Sequence, residues 1–321
     1  MRPRSQPLRI LAAVVALGCS HGCGDRDAPD TKRLSGARDP GAEASARLNS
    51  FAAVPDWNSF VGLLAQPHAL ARELLGPHLL SYRAAISTVP VGLDDAAPLP
   101  DVPAGRPIYE RFSVVDELEL RWGSTPGEPP LLHLDQHNEH ELGRALIVID
   151  ERAWSQIDGR GWLERPLEDE LWQVWADDAQ TAVLDLVELA GPSVDLGQIE
   201  AIEHEGRPAL RVSLRAGDRP HPERTVEALV PWRRGAKVTL HSGSIVLDRA
   251  TGLWLAAQVE LSWSFNDSAG RELTGKARFD GRVQVLAEPP VIAPPDLAQP
   301  VPERERPELL RERLLDGLAG P

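Results

Sequence analysis

The chain has 321 residues, with 48 acidic side chains against 34 lysines and arginines and a formal charge of -14. A surface this acidic argues against a nucleic-acid partner and against electrostatic adhesion to anionic lipid. The cysteines are Cys19 and Cys23 alone, which excludes a disulfide framework, a thiolate metal site and a cysteine nucleophile from the body of the chain.

The N-terminus reads as a processing signal. Arg2, Arg4 and Arg9 form a basic start, and Ile10 to Leu17 an apolar core of about eight residues, far short of the roughly 20 that span a bilayer. The tetrapeptide Ala16-Leu17-Gly18-Cys19 follows and resembles the lipobox, where signal peptidase II cuts before a diacylated cysteine. That resemblance implies a signal peptide over residues 1–18 and lipidation of Cys19. The mature chain is then held at a membrane of the cell envelope by acyl chains rather than by a transmembrane helix. Ser20 after the cysteine favours the outer membrane, facing the periplasm. Cleavage removes three arginines, so the mature chain is more acidic still.

Residues 20–50 are rich in Gly, Ala, Ser, Asp and Arg without an apolar period, so residues 19–50 are expected to form a flexible tether. Trp57 to Leu80 carries leucines and Phe60 at helical spacing, with a break at Pro67. Tyr82 to Val91 predicts a strand, and residues 94–107 a proline-rich loop. Leu118, Leu120 and Trp122 alternate with charged residues as in a half-buried strand, and two more strands are expected at Leu131 to Asp135 and Arg144 to Asp150. Asp158 to Gly161 signals a turn. Glu168 to Leu189 predicts a helix, ended by Gly191-Pro192. The second half is mostly β: Leu210, Val212 and Leu214 alternate, Ser244 to Asp248 and Leu255 to Phe265 predict a hairpin, and Arg271 to Leu286 a further strand. Pro289 to Pro307 is proline-rich, and Glu308 to Leu318 predicts a short amphipathic helix.

The late hairpin, Gly243 to Ala256, has the form G-x-I-V-L-D-x-x-T-G-L-x-L-x-A, and Ala293-Pro294 closes the sheet. With a leading helix, many antiparallel strands and a helix inserted mid-chain, the pattern resembles the lipoprotein-carrier superfamily, the LolA/LolB-like and LppX/LprG-like proteins. The resemblance implies an α+β domain over residues 51–295. Its curved antiparallel sheet forms an incomplete barrel, with helices covering the concave face. It also implies non-catalytic binding or transfer of a lipid or lipoprotein acyl chain in an apolar cavity, with no cofactor. That family's arginine inside the barrel would fall on Arg83 or Arg121 by strand position. Residues 296–321 would then form a proline-rich segment and a C-terminal helix.

Nine tryptophans against two tyrosines and five phenylalanines is an unusual aromatic balance. Trp122, Trp175, Trp254, Trp263 and Phe265 are the candidates to line a cavity, with core filling as the competing role. His133, Asp135 and His137 share one face of a strand, a spacing that suits a divalent metal, although the segment after them reads as a polar turn. There is no G-x-S-x-G, no phosphate-binding glycine loop and no H-E-x-x-H, so an enzyme is not expected. A structural or interaction lipoprotein without ligand, meeting an envelope protein partner, is the alternative, and a metal-dependent envelope protein a third.

Overall fold

In a computed structural model the described residues are 40–91, 112–140, 142–167, 171–219, 235–266 and 272–300. The expected signal segment, Cys19, the expected loop at 94–107 and the expected helix at 308–318 lie outside them.

Three short helices open the described chain: α1 (Pro40–Ala53), α2 (Trp57–Leu64) and α3 (His68–Leu75). The first corrects the expected tether, which stops short of residue 50. Ala44, Leu48 and Phe51 recur at helical steps and are buried, a stripe that the surrounding small and charged residues hide from a reading by composition. Asp56 caps α2 by accepting the Ser59 amide at 2.9 Å. Pro67 precedes α3, and Gly76 ends it at φ 65°, a left-handed position that suits glycine.

Twelve strands follow around one long helix. They are β1 (His78–Pro90), β2 (Phe112–Trp122), β3 (Leu131–Asn138), β4 (Gly143–Ile149), β5 (Arg152–Ile157) and β6 (Trp162–Pro166). After α4 (Leu171–Ala190) come β7 (Val194–His204), β8 (Arg207–Ala216), β9 (Lys237–Asp248), β10 (Trp254–Asn266), β11 (Glu272–Val285) and β12 (Ala298–Pro300). All lie in a single sheet ordered β12-β6-β5-β4-β3-β2-β1-β11-β10-β9-β8-β7, which stays open with β12 and β7 at its edges. Neighbouring strands are antiparallel except β12, which runs parallel to β6. The architecture is therefore α+β, built on a large open sheet.

Two expectations shift at the edges. The hairpin arm expected from Ser244 begins at Lys237, because a register irregularity between Glu260 and Leu261 interrupts the alternation that marks a strand in sequence. The sheet also continues past residue 295 through β12, a piece that the proline-rich composition disguises. The edge strand β7 carries its own irregularity between Leu196 and Ile199.

Register assigns the faces. Leu80 stands opposite Leu120 on one side and Val283 on the other, and Leu120 opposite Leu134, which faces Leu146. These five are buried, and they share a face because directly paired residues point the same way. The same rows run on through Phe279, Val259 and Leu261 to Ile245 and Val212. The intervening residues Arg83, Glu117, Glu119, Arg278 and Asp280 form the opposite, charged face. Helix α4 meets the apolar face at several points. The Trp254 Nε1–H donates to the Gln180 carbonyl at 2.8 Å, and Trp122 stacks with Trp172 at 6.4 Å between centroids.

Candidate functional site

One row of the apolar face turns polar. Tyr82, Leu118, Gln136 and Arg144 stand side by side on β1 to β4. Gln136 Nε2 donates to Asp116 Oδ2 at 2.8 Å and to the Tyr82 hydroxyl at 3.3 Å, and its Oε1 accepts from Arg144 Nε at 2.8 Å. Arg144 then reaches Asp178 of α4 at 2.9 Å and lies over the Trp175 ring at 5.0 Å. A single hydrogen-bonded chain thus ties four strands to the helix. Burial pushes the Tyr82 hydroxyl and the Asp116 carboxyl up, and for Asp116 the Gln136 bond and Arg144 pull the other way.

Arg144 lies on the apolar face of the sheet, opposite Gln136. Arg83 and Arg121, the two positions suggested by strand placement, point outward and pair with Glu117 and Glu119. The Arg144 and Asp178 side chains are 17% and 19% exposed, so removing one takes this ion pair away from a charge that is largely out of water. Arg144→Met is expected to cost about 3 kcal/mol in urea unfolding, and Arg144→Met with Asp178→Leu to recover most of it.

The five cavity candidates fall into two groups. Trp122, Trp175, Trp254 and Trp263 are each less than 9% exposed. Trp122 and Trp254 are clamped between sheet and helix, and Trp175 carries Arg144. Trp263 lies flat across Gly275, where an added Cβ would meet its ring at 2.3 Å, so the glycine makes room for the indole. Phe265 is half-buried and packs at the margin of the core. It belongs to a run of half-buried apolar residues on the same face, with Ile86, Val114, Val238 and Leu240.

The metal candidates sit on the charged face. His137 Nδ1 is 3.8 Å from Asp135 Oδ1, and both border a groove of about 820 Å³ with Arg83, Glu117, Asp280 and Arg282. His133 shares the face but is not among the groove's lining residues. Among the described residues no group of three His, Cys, Asp or Glu is placed to hold a metal ion. His241 on the same sheet has its Nε2 2.8 Å from Ser262 Oγ across the β9–β10 pair, a solvent-exposed contact.

A second buried polar site, unmarked in sequence, joins α3 to the sheet. His68 and His78 are 1% and 0% exposed, and their Nε2 atoms approach to 3.2 Å. His78 Nδ1–H donates to the Gly76 carbonyl at 2.7 Å, so its Nε2 accepts from His68. The His68 amide donates to Asp177 Oδ1 at 2.8 Å, and Trp122 meets the His68 ring edge-on. Burial drives both imidazoles toward the neutral form. His68 falls well below its usual range, helped by His78 and Arg72, and His78 falls to about 4.

No family model matches the chain, and a comparison with curated proteins gives no match. No helix among the described residues is long and apolar enough to cross a membrane.

Proposed function

We propose that this chain is a lipid-anchored protein of the cell envelope, facing the periplasm from the outer membrane. It binds or transfers a lipid or lipoprotein acyl chain without catalysis. In this reading the open sheet curves into an incomplete barrel, α1 to α4 cover its concave face, and the apolar rows between them receive the chain. The observation that carries the reading is the half-buried apolar margin at Ile86, Val114, Val238, Leu240 and Phe265. Apolar surface left partly uncovered on the core side of a sheet marks a place for a ligand or a partner. The lipobox-like tetrapeptide supports the anchor, and the late hairpin supports likeness to the lipoprotein-carrier superfamily.

The test is native mass spectrometry of the full chain in mild detergent. A lipid-sized mass present under native conditions and lost on denaturation is expected, in addition to a covalent increment that Cys19→Ala abolishes. A native mass equal to the denatured mass would count against the carrier reading. The second reading, an interaction lipoprotein with a filled core, draws on the near-complete burial of Trp122, Trp175, Trp254 and Trp263 by the protein's own side chains.

A further inference from the structure

The half-buried arginines of the described chain have polar partners with one exception. Arg144 pairs with Asp178, Arg207 with Asp248, Arg165 with Ser155, and Arg219 with the carbonyls of Gly191 and Val194. Arg72 on α3 has none, and its Nε is sealed from solvent without an acceptor. Asp177 is the acid whose charge acts on it, but that carboxylate takes the His68 amide and stays outside the 4.0 Å reach of an ion pair. Among the described residues no carboxylate forms an ion pair with this guanidinium.

What holds Arg72 is aromatic. Its guanidinium carbon lies 5.1 Å from the Trp122 ring centre and 4.9 Å from that of Trp172. The two indole planes are within 13° of parallel, and Trp122 is fixed in turn by donating its Nε1–H to the Ser124 carbonyl at 2.8 Å. Indole faces attract a cation but supply no counter-charge, and they hold the guanidinium without consuming its donors. Since Nε is sealed, the terminal nitrogens are the donors left for a partner. A cation fixed and partly desolvated in this way is a ready receptor for two oxygens of one anion.

We propose that Arg72, held on the Trp122–Trp172 platform, binds the phosphate or carboxylate group of an amphiphilic ligand. The inference deepens the lipid-binding reading and rests on it only for the apolar part of that ligand. The anion contact itself stands on Arg72 alone.

Titration calorimetry of the full chain, with tryptophan fluorescence in parallel, tests it with three probes: inorganic phosphate, dihexanoyl phosphatidic acid below its micelle concentration, and uncharged dihexanoylglycerol. The phosphatidic acid is expected to bind at least tenfold tighter than the uncharged lipid, and Arg72→Gln to erase that difference. Arg72→Lys keeps the charge but not the two-pronged geometry, so at least fivefold weaker binding is expected. It also serves if the glutamine variant fails to fold. Phosphate bound in an Arg72-dependent manner, with neither lipid bound, would uphold the anion site and overturn the lipid reading. Equal binding of both lipids, unchanged by either Arg72 variant, would uphold the lipid reading and overturn the anion site. Wild-type chain that binds none of the three at millimolar concentration overturns it as well.

Discussion

Acidification from about pH 6.5 to 4.5 is expected to remove about 2 kcal/mol of folding stability through His78, at up to about 1.4 kcal/mol per pH unit, and His68 acts in the same direction. The sign follows from which state takes the proton. Both imidazoles are buried neutral, and their folded pKa values lie below the ordinary 6.5. Above that pH neither state binds a proton there and the contribution is complete. As the pH falls, the unfolded chain protonates first and stability drains away, for His78 until its folded value of about 4 is reached. Carboxyls act the other way. Burial raises Asp116 and Asp177, and takes Asp185 to about 7 with Glu188 and Asp178 adding like charge, so protonating them favours the fold. Asp185 is solvent-accessible, which screens its effect.

Comparing variants isolates the histidine contribution. In urea unfolding across that window, His78→Gln should lower the pH slope of stability by about 1.4 kcal/mol per unit, because one proton fewer is taken up on unfolding. Equal slopes for wild type and variant would show that His78 is not buried neutral. Since the pair links α3 to β1, the element expected to loosen first on acidification is the junction of α3, α4 and Trp122.

The second large effect is expected at Trp254, which is 1% exposed and bonded to the Gln180 carbonyl. Trp254→Ala should cost about 4 kcal/mol, since it opens an indole-sized void beneath α4 and removes the donor together. The thermal midpoint should fall on the order of 10 °C for a domain of this size. Trp254→Phe keeps much of the packing and loses the hydrogen bond, so about 1–2 kcal/mol is expected. A full loss in the phenylalanine variant would mean that the hydrogen bond, not the volume, anchors the helix.

What the sequence made legible was local. Alternation in Leu118 to Trp122 and in Leu255 to Phe265 identified strands, and three- and four-residue steps from Leu171 identified α4. Pairing between distant strands left no such trace. β1 lies between β2 and β11, and Tyr82 opposite Gly281 joins residues about 200 apart in the chain. For the same reason the chain of Tyr82, Asp116, Gln136, Arg144 and Asp178 was invisible, as its members come from five elements. The aromatic candidates were found by type, but type does not separate Trp254, sealed under a helix, from Phe265 at a half-open margin. Nothing in the sequence marks the histidine pair, because His68 and His78 look like ordinary residues at a helix start and a strand start.

An open sheet also has to avoid polymerising, since a free strand edge is a template for another chain. Here the two rims differ. One ends in β12, three residues long and finishing at Pro300, whose nitrogen has no hydrogen to offer. The other is β7, 11 residues long, kinked between Leu196 and Ile199 and carrying Glu200 and Glu203. A second copy stacking rim to rim would meet a stub on one side and a bent, negatively charged ribbon on the other. The open sheet therefore offers a second copy little regular edge to pair with.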